Sequence, residues 1–362
     1  MNRRVELALL ELLRAGLWEQ RQEWKECPRL DEKGWNDVYR ISCQQTVGAL
    51  VCRGLHFLPK ECEPPFEVAA KWAVWTDSVE RRNRRMNEAL QTLLATLEQN
   101  GLHPVLQKGQ GIARFYANPL TRECGDIDLY FPNGEWKEAD ERMRKEGLMV
   151  AIRPDESSCY QWKKFVVEHH AHLFDLQRPA LQPKLQAWET AYGFQEVAVG
   201  KGVQVRVPHP VLDVLLQDAH ILKHAMGHGI GLRQLCDLAR TLKVCSQLPG
   251  WDRREVTAVL QEAGLEKWSR MLMAYLERYL ALPEGMVYDH LQRVSVDFLA
   301  DVVRRGGNFG QYASPKGVAR STWQRKCDTV AAFVRNARFS LSYVPAEALC
   351  MWKQLMIGQF KR

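Results

Sequence analysis

The run Gly125-Asp126-Ile127-Asp128-Leu129-Tyr130-Phe131 constrains this chain more than any other stretch. Apart from its two aspartates it reads as a buried strand. Side chains alternate faces along a strand, so Asp126 and Asp128 project to the same side. Two like charges side by side repel, and apolar surroundings raise the cost of keeping both ionised. A divalent cation relieves both problems, because hard cations take carboxylate oxygens. The chain must therefore either leave this strand at a wet edge, with two solvated aspartates, or build a metal site around it.

The residues upstream bear on that choice. His103-Pro104-Val105-Leu106 reads as a short strand ending at Gln107-Lys108-Gly109-Gln110-Gly111, after which Ile112, Phe115 and Tyr116 have helical spacing. A glycine turn between strand and helix offers backbone N–H groups to an anion, and Lys108 adds a positive charge. Such turns are also common as plain connections. This one is neither a P-loop, since no Gly-Lys-Ser/Thr follows, nor a dinucleotide GxGxxG.

Taken together, Lys108-Gly109, Tyr116-Ala117-Asn118-Pro119-Leu120-Thr121-Arg122 and Gly125-Asp126-Ile127-Asp128-Leu129 resemble the uncharacterised bacterial nucleotidyltransferase family of the polymerase-beta-like superfamily. Gly229-Ile230-Gly231-Leu232-Arg233-Gln234-Leu235-Cys236-Asp237 resembles a downstream helical block of the same family, and Gly307-Asn308-Phe309-Gly310 is similar to a further short one. The likeness spans roughly residues 70 to 345. It implies transfer of an NMP from an NTP, with ATP the expected donor, to an unidentified acceptor with release of pyrophosphate. Asp126 and Asp128 would hold two Mg²⁺ ions, with Mn²⁺ a permitted substitute.

The superfamily uses a third carboxylate on a neighbouring strand. Glu168, in Lys164-Phe165-Val166-Val167-Glu168-His169-His170, is the natural candidate because β-branched neighbours favour a strand. Asp175 is the runner-up. Lys108, Gly109, Gln110 and Gly111 are the candidate phosphate cradle. His170, which shares the face of Glu168 by alternation, joins them as a nucleotide-binding candidate. Arg122 either neutralises charge developing on the phosphates or partners Asp126. The chain departs from the superfamily's Gly-Ser turn, since Gln110 follows Gly109, and Lys108 is the available substitute for that side-chain contact. This departure motivates two alternatives: a catalytically inactive nucleotide- or partner-binding module, and an antitoxin-like enzyme that modifies another protein.

At 362 residues, with 46% hydrophobic and 26% charged residues, the chain can bury a sizeable core in two or three modules. No apolar run long enough to cross a bilayer exists, and Glu6 and Glu11 interrupt the N-terminal apolar stretch, so a cytoplasmic protein with no membrane partner is expected. Ten cysteines without a CxxC pair suit reduced, mostly buried thiols. The net charge of +7 favours phosphate-bearing partners but is modest for this length, so a nucleic-acid partner is not strongly indicated. The densest basic cluster, Arg81-Arg82-Asn83-Arg84-Arg85, falls in a helical pattern from about 67 to 99. It is either a solvated face or, in the sharper reading, a cluster that lines the mouth of the nucleotide cleft or meets an acidic acceptor.

The expected architecture is α+β: a nucleotidyltransferase-like small mixed sheet with helices, flanked by N- and C-terminal helical regions. Residues 1–100 form the first helical region, broken near Pro28, Gly34 and Pro64-Pro65; residues 101–208 form the α/β core, with strands at 103–106, 127–131, 148–152, 162–170 and 203–207; residues 209–362 form the helical C-terminal domain. His220 and His224 lie four apart on one helix face. Ile221 occupies the glutamate position of a His-Glu-x-x-His zinc motif, so packing roles are expected, with cleft contacts by His220, His224 or Arg233 as the sharper reading. Asp237, four after Arg233, reads as a helix salt bridge.

Overall fold

The computed structural model describes residues 2–20, 29–153, 156–227, 229–306 and 322–360. Four helices open the chain: α1 (Arg3–Trp18), α2 (Glu32–Gln44), α3 (Gly48–Leu55) and the long α4 (Phe66–Glu98). Gly34 does not break the pattern. It sits in the first turn of α2, where its backbone N–H donates to the capping carboxylate of Asp31 at 2.8 Å. Pro28 lies outside the described residues.

The central region supplies β1 (Val105–Leu106), α5 (Gln110–Ala113), β2 (Asp126–Tyr130), α6 (Trp136–Lys145), β3 (Ala151–Ile152), β4 (Ser158–Trp162), β5 (Phe165–His170), α7 (Gln182–Tyr192), β6 (Phe194–Val199) and β7 (Val203–Pro208). The strands form one mixed sheet in the order β3-β4-β5-β2-β1-β7-β6. β2 runs parallel to β5, β1 runs parallel to β7, and the remaining neighbours are antiparallel. The α+β architecture expected from the sequence is the one observed.

Two strand assignments needed revision. The stretch read as one strand over 162–170 is two strands, folded at Lys163-Lys164 so that Trp162 faces Phe165 across the hairpin, with Lys163 left-handed at φ 54°. The extended residues on both sides hide so short a turn. β6 escaped notice because as an edge strand it buries only Val199, which blurs its alternation.

Behind the sheet, the C-terminal half of α4 and α6 pack Met86, Leu90, Leu93, Leu97, Ala139 and Met143 against Ile127, Leu129, Phe131 and Val167. The other core draws on both ends of the chain. It joins α1–α3 to α8 (Pro210–Met226), α9 (Leu232–Cys245), α10 (Arg253–Glu262), α11 (Glu266–Leu280) and α12 (Asp297–Gly306). α13 (Thr322–Tyr343) and α14 (Pro345–Phe360) complete it. Polar clasps fix this junction: the Trp18 indole donates to the Leu280 carbonyl at 2.6 Å, and Gln45 donates to the Val303 carbonyl at 3.0 Å while accepting from the Leu232 N–H at 2.9 Å. No helix among the described residues is long and apolar enough to cross a membrane. Cys62 is disulfide-bonded, which corrects the expectation of uniformly reduced thiols, whereas Cys43, Cys52, Cys124, Cys159, Cys236, Cys245 and Cys350 are free.

Candidate active site

Sheet register assembles the acidic face. β2 and β5 pair in parallel with Asp126 opposite Val166 and Asp128 opposite Glu168, so the three carboxylates share one face of adjacent strands. β5 alternates strictly: Phe165, Val167 and His169 are buried, while Val166, Glu168 and His170 face the other way. His169 anchors this register from behind. Its Nδ1 lies 2.8 Å from Asp140 Oδ1, its Nε2 lies 3.0 Å from the Tyr160 hydroxyl, and the Ser158 hydroxyl donates to the same Asp140 oxygen at 2.5 Å. Burial lowers the His169 pKa despite Asp140, so the ring is neutral at pH 7.

The carboxylates open into a cleft of about 280 Å³ between the sheet and the helices α8 and α9. Among the described residues, one oxygen of Asp128, one of Glu168 and one nitrogen of His170 lie within 4.8 Å of one another, a spacing that a single cation could bridge. His170 Nε2 is 2.9 Å from Asp128 Oδ1 and 3.9 Å from Glu168 Oε2. Asp126 stands on the same face at the start of β2 but outside that closest trio. Lys108 Nζ approaches Asp128 Oδ1 to 3.9 Å, and Arg153 Nη1 closes on Glu168 Oε2 at 2.7 Å.

Electrostatics separate the two aspartates. Asp126 is pushed up to about 6, first by the negative charge of Asp128, then by burial and Glu168, with Lys108 and Arg233 only partly offsetting them. For Asp128, burial alone would act upward, but Lys108 and the His170 hydrogen bond outweigh it and hold the carboxyl well below the usual range. Burial works against the Lys108 charge, yet Asp128, Asp175, Asp126 and Glu168 together raise its pKa. The lysine is thus a counter-charge shared across the face, with Arg153 beside it at Glu168.

The turn before α5 explains its glycines. Gly109 has φ 57° and ψ −120°, a conformation side chains disfavour, and a Cβ there would sit 3.4 Å from the Asp126 carbonyl. Gly111 brings the backbone close to β7, where a Cβ would meet Val207 Cγ1 at 3.3 Å. Lys108 and Gly109 border the cleft; Gln110 and Gly111 do not. The Gln110 side chain turns away, donating to the Asn83 carbonyl at 3.3 Å and accepting from the Cys124 thiol at 3.1 Å.

Arg122 is not a partner of Asp126. Its guanidinium makes a two-pronged contact with Asp237, from Nε to Oδ1 at 2.8 Å and from Nη2 to Oδ2 at 2.7 Å, and the Tyr116 hydroxyl adds a third donor at 2.7 Å. Arg122 is 5% exposed, and this buried pair ties the β2 approach to α9. Asp237 therefore serves Arg122 rather than a local helix bridge, while Arg233 Nη1 donates to the Glu123 carbonyl at 2.7 Å.

The far wall is built by Asp175 and by α8 and α9, and His220, His224 and Arg233 border the cleft there, the placement that the sharper reading of those residues expected. Asp175 accepts from His220 Nδ1 at 3.0 Å and from Lys223 Nζ at 2.6 Å, so the runner-up carboxylate is committed to α8. His220 is pushed down to about 4, by burial and then by Lys108. Its ring meets His224 edge-on with centroids 4.5 Å apart, a packing arrangement with no zinc motif. Arg153 and Lys223 border the cleft without having been expected there, and only the position of Arg153 at a strand end before Pro154 hinted at it. Gly307-Asn308-Phe309-Gly310 lies outside the described residues.

A mixed sheet with a carboxylate cluster on adjacent parallel strands, faced by a lysine on a glycine turn and walled by helices, places this chain among the nucleotidyltransferase-like folds. The model of the uncharacterised nucleotidyltransferase family matches residues 31–281, and the chain belongs to that family. No curated protein and no solved structure matches it.

Proposed function

We propose that the protein transfers an NMP from an NTP, ATP being the favoured donor, to an acceptor hydroxyl. The observation that carries this reading is the register that sets Glu168 beside Asp128 and on the face of Asp126, within a cleft that Lys108 borders. The oxygen-rich donor set fits hard divalent cations, and the mutual repulsion recorded in the raised Asp126 pKa is what such ions relieve. Mg²⁺, as two ions, is the proposed complement, with Mn²⁺ as an alternative; when bound it would neutralise phosphate charge and acidify the attacking hydroxyl.

The chain's own residues supply position and charge. Asp126, Asp128 and Glu168 would hold the ions, with His170 orienting Asp128. Lys108 would exchange part of its contact with Asp128 for the triphosphate, and the Gly109 turn lets the backbone come close. The acceptor oxygen bonds to the α-phosphorus, the bond to pyrophosphate breaks, and the hydroxyl proton leaves to solvent. Alignment and charge stabilisation carry such a transfer, with no covalent enzyme intermediate. Arg122 supports the site through Asp237 rather than touching phosphate. Membership of the polymerase-beta-like superfamily, a bacterial source and a cytoplasmic setting belong to the same proposal and rest on the sequence motif.

The test uses α-labelled ATP, MgCl₂ and cell lysate with the full chain. Label should enter one acceptor fraction with the wild type and be lost with Asp128→Asn while that variant still unfolds cooperatively. Equal labelling by the variant would remove the metal assignment. The ion pair between Arg153 and Glu168 favours a second reading, an idle nucleotide-binding module, because it occupies one carboxylate. Metal-independent ATP binding without pyrophosphate release would decide for that module.

A further inference from the structure

Round the edge of the sheet from the cleft lies a second, more open concavity of about 530 Å³, lined by Arg81, Arg82, Arg85, Lys163, Lys164 and Phe165, with Glu88 as the carboxylate in the lining. Two separate elements build it. The arginines come from the exposed face of α4, and the lysines form the turn between β4 and β5. Arg81 is paired with Asp77. Arg85, Lys163 and Lys164 have no ion pair among the described residues. So much unpaired positive charge gathered in one hollow is unfavourable unless an anion meets it.

Arg82 links this hollow to the chemistry. Its guanidinium lies over the buried Phe165 ring at 5.2 Å and donates to the carbonyls of Cys124 at 3.3 Å and Gly125 at 3.0 Å. Those carbonyls immediately precede Asp126, and Val166, next to Phe165, pairs with Asp126 across the sheet. The basic hollow therefore adjoins the end of the acidic face where Asp126 stands.

We infer that this hollow binds the phosphodiester backbone of a single-stranded nucleic acid and delivers one of its hydroxyls to the Asp126 end of the cleft; the inference rests on the nucleotidyl-transfer reading above and names its acceptor. A single specific phosphate calls for several rigid donor forks converging on one point; here Arg82 is spent on backbone carbonyls and Arg81 on Asp77, so Arg85 brings a lone fork beside the two lysines, which are point charges. Long, mobile cations spread over a broad surface suit a run of phosphates without sequence readout. Phe165 is buried under Arg82 and offers no face for base stacking, so affinity should be chiefly ionic.

The test is read without turnover, so it stands or falls separately from catalysis. A fluorescein-labelled single strand of about a dozen nucleotides is titrated with the full chain in EDTA, without NTP, and followed by anisotropy. Three phosphate contacts, by Arg85, Lys163 and Lys164, predict roughly a twentyfold loss of affinity between about 50 and 200 mM KCl. Lys163→Glu combined with Lys164→Glu should cost tenfold or more and flatten the salt slope, while Lys267→Glu, the same charge change on exposed α11 outside the hollow, binds the strand as the wild type does. No binding at low salt, or equal binding by the double variant, would overturn the inference. So would competition by inorganic tripolyphosphate as effective per phosphate as the strand, which would point to a phosphorylated small molecule. Strand binding that responds as expected, in a protein that releases no pyrophosphate, would uphold the hollow and sink the transfer reaction instead.

Discussion

Replacing Asp126 by asparagine should stabilise the metal-free protein while removing its response to metal. In this structure the Asp126 carboxyl is raised from 3.8 to about 6, chiefly by Asp128. A shift of about two units corresponds to roughly 3 kcal/mol, and screening at a partly exposed site reduces this to about 1–3 kcal/mol. The sign follows from proton linkage. Because the folded pKa lies above the unfolded one, the protonated carboxyl favours the folded state at low pH. That advantage is lost as pH rises from about 4 to about 6, and above that range the ionised pair is a standing penalty. Asp126→Asn should therefore raise the urea midpoint in EDTA at pH 8 with an unchanged slope, and change it little at pH 4. Saturating MgCl₂ should then stabilise the wild type but not the variant. If the variant is equally destabilised in EDTA at both pH values, repulsion between the two aspartates is not what the site holds in check.

Three further outcomes follow from named contacts. Arg122→Ala should cost about 3–5 kcal/mol in denaturant unfolding by stranding buried Asp237; a normal stability with impaired NTP binding would instead make Arg122 a phosphate ligand. Arg153→Ala should strengthen Mn²⁺ binding about two- to fivefold by calorimetry, because a partly exposed pair of about 0.5–1 kcal/mol no longer competes for Glu168; weaker binding would contradict that competition. Asp218 on α8 is pushed up to about 7 by burial, with Ser269 and Trp268 only partly countering it. Its contribution to stability is full below the unfolded value near 3.8 and fades as pH rises to about 7, up to about 4 kcal/mol in all. Asp218→Asn should flatten the pH profile of unfolding over that window, and an unchanged profile would exclude Asp218 as its source.

The acidic face was legible in the sequence because it obeys a local rule. Alternation alone puts Asp126 with Asp128 and Glu168 with His170, and only the pairing of the two strands had to come from the fold. The cleft's opposite wall obeys no such rule. α8 is buried nearly all round, so its pattern does not show which side carries Lys223 and His220 toward the sheet. Arg122 was read either as a phosphate-facing charge or as the partner of Asp126, and its actual partner, Asp237, lies 115 residues away. Gln110, the residue after Gly109, braces the turn from beneath through Asn83 and Cys124. The arginines of α4 showed as a charge cluster, but their meeting with Lys163 and Lys164 depended on a hairpin that the uninterrupted extended pattern concealed.

Two adjacent histidines on β5 divide the labour of the strand. His170 looks into the cleft, while His169 is pinned behind it by Asp140 and Tyr160. Sliding β5 by one residue would drive Glu168 into the apolar core and bring a neutral imidazole to the cleft side. The Asp140–His169–Tyr160 brace thus works as a ratchet stop, and damage to it would withdraw Glu168 from the cleft without any substitution in the cleft itself.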